Sequence, residues 1–464
     1  MEHVLPKVRS LLPGMSRLPA PFMENQKPKI GARALIRLLV LSTILCACAQ
    51  PQTRALEQSL GECDGVPLPA LITDTFEIPE TETRSVLGIV EVDNSALVVR
   101  GKLNVCGTLR FTNVSGALGG MAGHETDPGL WIDQTGQLSA VGDPVTPHAN
   151  ILEVAGHTVT LDRIPSGWAV GAEVVLTPTR EPGAGQYWNE FDETTITAID
   201  GTAVTVDSLS YTHDPVTLAG ETRYAKMLYL ERSVNIEGGT IHIQSQRPQD
   251  LSYVKISGSY GLGDQCSPQG RYAVHDHLRG DASRYDLKRT GVLITDIDTN
   301  GAVAHSSHGI HYDRLVVYDA TTRGGALWWD LGDDTFDFRA DDSVVAKMHG
   351  SGGSEAALMI GSGDRNRVTD LYVVGLTGVN VAALQWHRMP GSCTPGGTSG
   401  TPGDWDIAAV TVLNGKGHGI RSITNIQTDS VVSDVFFANL KNHGMELGAY
   451  TWGLDVRGGR FRGR

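Results

Sequence analysis

The chain has 464 residues, 55 of them glycine, with 6% aromatic and 19% charged side chains and a formal net charge of −14. That length is enough for two or three domains with well-buried cores, and the acidic balance excludes a general binder of nucleic acid or anionic lipid. Valine, threonine and isoleucine recur in short runs broken by Gly, Asn and Asp, a pattern that favours many short strands and little helix.

The N-terminus reads as an export signal. "ARALIRLLVLSTILCACAQ" carries two arginines, an apolar run from Leu38 to Leu45 and then small residues. The run is too short to span a bilayer. "LCAC", Leu45 to Cys48, resembles a bacterial lipobox with Cys48 as the lipidated residue, which implies an exported lipoprotein held at the outer membrane or cell surface by its anchor alone. Met15 or Met23 is an alternative start. Residues 1–47 are therefore assigned to a signal peptide and 48–64 to a tether. The signal holds 7 of the 38 Lys+Arg and 2 of the 52 Asp+Glu, so the remainder has 31 basic and 50 acidic residues, a net charge of −19. An anionic partner would need a local basic patch, and Arg271, Arg279, Arg284, Lys288 and Arg289 are the candidates; a solvated mixed-charge loop is the plainer reading.

Beyond Cys46 and Cys48 the chain has Cys63, Cys106, Cys266 and Cys393. In an oxidising compartment they allow two disulfides, and Cys63–Cys106 with Cys266–Cys393 would keep each bridge inside one domain. No CxxC suggests a zinc ribbon.

From 65 to 225 short alternating runs turn at glycine, as in "SALVVRGKLNVCGTLRF" (Ser95–Phe111) and "GLWIDQTGQLSAVG" (Gly129–Gly142), the style of a glycine-rich β-domain. From 226 to 464 the chain repeats. Apolar strands centred on Val303, Leu327, Leu358, Leu384, Ile420 and Met445 are separated by 24, 31, 26, 36 and 25 residues, the long step containing the loop "PGSCTPGGTSGTPGD". Each of the last five is preceded by another strand: "RLVVYD", "SVVAKM", "LYVVG", "AVTVLN", "DVFFAN". A period near 25 with two or three strands per repeat predicts a right-handed parallel β-helix, and a propeller fits less well. Asn414 and Asn439 would stack as a ladder at a turn, and His418 and His443 one coil apart at the position equivalent to Gly325.

"RYAVHDHLRGD" (Arg271–Asp281) is the candidate site. On an extended strand His275 and His277 project to one face and Asp276 to the other. Two imidazoles side by side can hold a divalent metal or shuttle a proton, or be half-exposed scaffold. Trp328 and Trp329 would point to opposite sides. The acid-rich "DLGDDTFDFRADD" (Asp330–Asp342) lacks EF-hand spacing and reads as a polar loop. His305, His308 and His311 share no strand face.

Two blocks carry a family resemblance. "GWAVGAEVVLTPTR" with "FDETTITAIDGTAVTVDSLSYTHDP" resembles the second half of the glycine-rich extracellular G-eight domain, matching at Trp168, Gly171, Glu193, Ile196, Gly201, Val206, Leu209, Tyr211 and His213. His213 itself reads as a strand-end histidine bonded to backbone. "RYAVHDHLRGD" resembles the Arg-Tyr-Pro-x-His-x-His…Gly-Asp opening of the β-helix in the same family, that of the hyaluronan-binding, cell-migration-inducing protein and its transmembrane hyaluronidase relative. Ala273 replaces the proline and Asp276 the aromatic; further on, His305 matches, Asp330 stands for glutamate, Gly325 for histidine and Leu331 for aspartate. The resemblance implies an all-β chain, a G-eight-like domain followed by a β-helix, that handles an acidic, glycosaminoglycan-like polysaccharide with a divalent metal, calcium or zinc. It implies catalytic roles for Arg271, His275, His277, Asp281 and Asp330 and metal ligation by His275, His277 and His305. Hydrolysis and elimination both remain open. A non-catalytic glycan-binding lipoprotein, to which Gly325 and Leu331 point, and a purely structural surface solenoid are the other classes.

Overall fold

The structure is a computed structural model that describes residues 63–463, apart from 115–126, 182–184, 260–271, 323–324, 330–334, 351–354, 362, 387–402, 423–425 and 449–450. Its backbone winds as a parallel β-helix. Each coil passes through three faces. The second face is one twelve-stranded sheet, from Leu71–Ile72 to Arg460–Gly463, and the third is one eleven-stranded sheet, from Phe76–Ile78 to Met445–Leu447. The first face is a five-stranded sheet followed by a seven-stranded one, Val66–Pro67 to Asp250–Ser252 and Arg289–Thr290 to Asp455–Arg457. In the sixth coil, for example, Arg289–Thr290, Leu293–Ile297 and Ala302–Ser307 lie on the three faces in turn, and each pairs in parallel with the next coil. The only helices among the described residues are two 3-10 turns, Tyr187–Asn189 and Asp281–Tyr285, and none is long and apolar enough to cross a membrane.

Stacking like on like fills the interior. Leu327, Leu358, Leu384, Ile420 and Met445 are in register on the third face, as the period predicts. The first step differs by one residue: Leu327 pairs with Ala302, and Val303 pairs with Trp328. Each fully buried Leu or Ile in this ladder contributes about 1.5–3 kcal/mol of transfer free energy. A second regularity lies on the second face. Asp296, Asp319, Lys347, Gly375, Asn414 and Asn439 occupy one register column, and all have positive φ. One left-handed residue per coil bends the strand there, which suits Asn, Asp and Gly best. Asn439 donates through Nδ2 to Asn414 Oδ1 at 3.0 Å, and Asn414 donates to the carbonyls of Arg180 and Tyr187 at 2.9 and 3.1 Å. The asparagine ladder is real, and its backbone partners belong to an inserted domain.

That domain changes the order expected from sequence. The β-helix does not begin at 226. Its first coils are built from residues 66–141, and a closed six-stranded antiparallel barrel, His148 to Tyr229, is inserted within the fourth coil, between Gln137–Val141 on the first face and Val234–Glu237 on the second. Short alternating strands ending at glycine suit either structure, so the sequence alone does not separate the two. At Gly101 a Cβ would lie 2.2 Å from the Pro79 and Glu82 carbonyl oxygens, and at Gly107 2.3 Å from that of Gly88, so here glycine lets successive coils touch. The Cys63–Cys106 disulfide closes the start of these coils; Cys266, Cys393, Cys46 and Cys48 lie outside the described residues.

The barrel has its own core, including Ile151, Val159, Trp168, Val174, Ile196 and Met227. His213 bonds the Thr177 carbonyl and the Asp192 carboxylate, both at 2.9 Å, inside it. The barrel covers the second face of the β-helix: Val175, Phe191, Leu228 and Leu230 share an apolar cluster with Tyr318, Val344, Tyr372 and Phe436. The third face carries the histidines.

Candidate functional site

The strand Val274–Gly280 reads, in burial, as buried Val274, His275 and Asp276, half-buried His277, exposed Leu278, buried Arg279 and half-buried Gly280. Val274 belongs to the inward ladder, and Asp276 is in register with the core residues Ile243 and Ala304. His275 and His277 therefore point outward, as the strand period requires. Ala273 is part of the core and not of the histidine row. Leu278, at φ 53°, shifts the register and turns Arg279 back inside.

Neighbouring coils complete an imidazole cluster. His242 of the fourth coil is in register with His275, and His305 of the sixth with His277. Ring centroids lie 4.8 Å apart for His242–His275, 4.9 Å for His242–His277, 4.9 Å for His275–His277 and 4.6 Å for His277–His305. One ligand atom from each of His275, His277 and His305 falls within 4.8 Å of the others. Trp131 packs on His242 at 4.7 Å and Tyr272 on His275 at 4.8 Å. The Gln244 amide nitrogen lies 3.1 Å from His242 Nε2 and 3.2 Å from His277 Nδ1, placed to orient both rings. Burial, reinforced by His277 and His305, pushes His242 down to about 3, so it is a neutral imidazole at ordinary pH.

Three predicted ligands are thus brought together, and His242 and Gln244 join them. Sequence reasoning missed both, although "TIHIQ" places His242 between two inward isoleucines in the same way that Val274 and Asp276 flank His275. Neutral imidazoles suit a zinc-type cation, whereas calcium takes oxygen ligands. Zinc fits this donor set and calcium does not.

The inner side of the strand is ionic. Asp276 accepts from Arg279 Nη1 at 2.8 Å and from Arg289 Nη1 and Nη2 at 2.7 and 2.8 Å; Arg279 also donates to Asp286 at 2.6 and 2.7 Å, and Arg289 to Tyr312 Oη at 2.8 Å. Both arginine side chains have no exposed surface. Burial pushes Asp276 up, but the two guanidiniums outweigh it and hold the carboxylate below its ordinary range; burial pushes Tyr312 up to about 12. The candidate basic patch is corrected by this network. Arg279 and Arg289 are interior partners of carboxylates, and Arg284 and Lys288 pair with Asp281 and Asp313.

Asp281 opens the 3-10 turn with a side chain 77% exposed, bonded to Arg284 Nε at 2.6 Å, which lowers its pKa. Its contacts are with Arg284 and not with the imidazoles. Arg271 and Asp330 lie outside the described residues, as do the side chains of Trp328 and Trp329. His308 Nδ1 accepts from the Phe336 N–H at 3.3 Å, and His311 Nε2 bonds Asp341 at 2.7 Å. In the acid-rich loop, Asp337 is taken by Arg284 and Arg365 and Asp341 by His311 and Thr369, so these carboxylates already have partners.

No family model matches the sequence, and no curated protein matches it. Among solved structures it is similar to the tailspike protein gp49 from Pseudomonas phage LKA1, at 14% identity and TM-score 0.18, over 83% of this chain and 69% of that one. It is also similar to the Gp54 tailspike of Acinetobacter baumannii bacteriophage AP22, in complex with A. baumannii capsular saccharide, at 10% identity and TM-score 0.22, over 85% of this chain and 63% of that one. A third is the Pseudomonas phage phi297 tailspike gp61, at 10% and 0.16, over 80% and 66%. The chain spans under two thirds of the latter two. Likeness at these values says nothing of activity.

Proposed function

We propose that the chain is a surface polysaccharide-active protein that binds a zinc-type cation at His275, His277 and His305 and depolymerises an acidic, glycosaminoglycan-like glycan laid across the third face. The observation that carries this reading is the convergence of three imidazoles from two successive coils, His275 and His277 from one and His305 from the next, with ligand atoms within 4.8 Å of one another. A bound cation would supply Lewis acidity. The chain's own groups do the rest. His242, kept neutral by burial, lines the cluster without adding charge, and Gln244 fixes the orientation of two rings. His277 and His305 are half-buried and so reachable from solvent. The net charge of −19 left after the signal repels a polyanion elsewhere on the surface, so its binding would rest on the cation itself. Lipidation at Cys48 would hold the protein at the outer membrane or cell surface, with no role for nucleic acid.

The test measures metal content and size loss of hyaluronan, chondroitin, alginate and pectin on one purified sample, with and without chelator, beside His275→Ala/His277→Ala. Cleavage that requires metal and disappears in the double variant is the expected result. A protein that binds no metal and cuts nothing, while the variant behaves identically, overturns it. A second reading, glycan binding without cleavage, is favoured by Asp281, whose carboxylate is bound to Arg284 and leaves the imidazoles without that acid. Metal-dependent retention of a glycan with no loss of its length would select it.

A further inference from the structure

Four coils beyond the histidine cluster, the same face carries another set of ligand-bearing side chains. His418 begins the third-face strand of the tenth coil, His418–Ser422; His443 and Glu446 belong to the eleventh. The register column that holds His418 is Gly325, Ala356 and Ala382 in the preceding coils, so an imidazole replaces small residues there. We propose that His418, His443 and Glu446 form a second site for a zinc-type divalent cation, one that ties the tenth coil to the eleventh.

Three observations converge on it. One ligand atom from each residue lies within 4.8 Å of the others, and among the described residues only this cluster and the first satisfy that condition. His418 is 4% exposed, and its Nδ1 has no hydrogen-bond partner although it lies 3.4 Å from Glu446 Oε2. The other ring nitrogen, Nε2, faces the Asn442 side-chain amide at 3.5 Å, which leaves Nδ1 as the nitrogen turned toward Glu446. Two imidazoles and a carboxylate are an established zinc donor set. Bonds of about 2.0–2.1 Å place tetrahedral donors roughly 3.4 Å apart, a separation His418 and Glu446 already have. His443, exposed on its turn and stacked on His418 at 5.6 Å, would close the remaining distance by a movement of its own turn.

The cationic neighbour is Arg421. Its Nε donates to Glu446 Oε2 at 3.0 Å and its Nη1 to the Asn380 carbonyl at 2.7 Å. The remaining polar neighbour, Asn442, donates to the Val379 carbonyl at 2.6 Å and lies 3.5 Å from His418 Nε2. Arg421 holds the Glu446 carboxylate in place through Oε2, the same oxygen that faces His418 Nδ1. The site would brace the β-helix near its last coils and does not depend on any activity of the first cluster.

The experiment strips the full chain with chelator and titrates Zn²⁺ against a chromophoric chelator, for the wild type, His443→Ala/Glu446→Gln, His275→Ala/His277→Ala and the combined variant. His443 is exposed and Glu446 half-buried, so the first variant keeps its fold; its far-ultraviolet spectrum checks that. Two equivalents for the wild type, one for each double variant and none for the combination are expected, with zinc raising the unfolding midpoint of His275→Ala/His277→Ala. A His443→Ala/Glu446→Gln protein that holds as much zinc as the wild type sinks the second site. A wild type with a single equivalent that is lost only from this variant supports it and removes the first site instead.

Discussion

The strand Val274–Gly280 has an outer and an inner side that differ in nearly every physical respect. Outside, His275 and His277 sit among other imidazoles, of which His242 is kept neutral by burial. Inside, Asp276 lies between two fully buried guanidiniums, with Asp286 balancing the second charge. Two carboxylates and two arginines are neutral together, so the cluster is tolerable in a core, but no member can leave alone. The contrast suggests a division of labour: the inner charges fix where the strand lies, and the outer imidazoles are thereby held for a ligand. Buried ion networks add little net stability and are best understood as locks on register.

Removing the lock gives the largest expected effect. Asp276→Ala leaves Arg289 facing only Asp286 and Tyr312 and should cost about 3–5 kcal/mol, the range for breaking a buried pair; denaturant unfolding checks it. Metal affinity should fall with it, because the histidines on either side lose their register. His275→Ala/His277→Ala reverses the pattern: metal and any cleavage are lost by more than about a hundredfold, while the metal-free unfolding midpoint stays close to wild type. If both variants unfold alike and both keep metal, the division between the two sides is wrong.

How far the sequence reveals this site depends on the distance between partners. The coil period is visible because Leu327, Leu358, Leu384, Ile420 and Met445 recur on one ladder, and a slip of one residue at Val303 arises only because Ala302, too small to stand out, takes the inward place. His277 and His305 are visible as neighbours once that period is known. His242 is not, since its 33-residue step to His275 exceeds the period near 25 and "IHI" has a single histidine. The inner network is hidden for another reason. Asp276, Asp286 and Arg289 read as alternating surface charges in a line of sequence, and only the closing of the coil brings Arg289, on the first face, against Asp276 on the third. The barrel insertion is hidden because alternation at period two does not distinguish an antiparallel barrel strand from a parallel coil.

The two sides also separate on acidification of the metal-free protein. An unfolded histidine titrates near 6.5, whereas burial brings His242 down to about 3. Between those values the unfolded chain binds the extra proton, so stability falls as pH drops below 6.5 and the loss is complete near 3. His148, pushed well below its ordinary value by burial, acts in the same direction. A loss on the order of 2 kcal/mol between pH 6.5 and 4.5 is expected from His242 alone, and His242→Gln should remove that share and leave the share of His148. Asp276 acts in the same direction but in a lower window: with its pKa depressed, its contribution is intact above about pH 4, the ordinary carboxylate value, and is lost below it. Urea unfolding at half-unit steps of pH, wild type against His242→Gln, separates the two windows. Identical slopes for both proteins above pH 4.5 would mean that His242 is protonated in the fold.

Asp281 offers the smallest expected effect and tests where the site ends. It follows His277 by four residues and stands where the family resemblance places an acid, but it sits past the bulge at Leu278, and its carboxylate is held by Arg284 and kept ionised. A proton donor for a glycosidic oxygen must be protonated near neutral pH and within reach of the bond, and loss of such a group costs about 10²–10⁴-fold. Asp281, ionised and turned toward Arg284, meets neither condition. Asp281→Asn should therefore cut, or retain, the same glycans as the wild type with a rate or affinity changed by no more than about twofold, far below that range. A hundredfold loss would draw Asp281 into the chemistry. It would also require the 3-10 turn Asp281–Tyr285 to swing toward the histidines when a glycan binds, so that the site would extend beyond the strand that carries them.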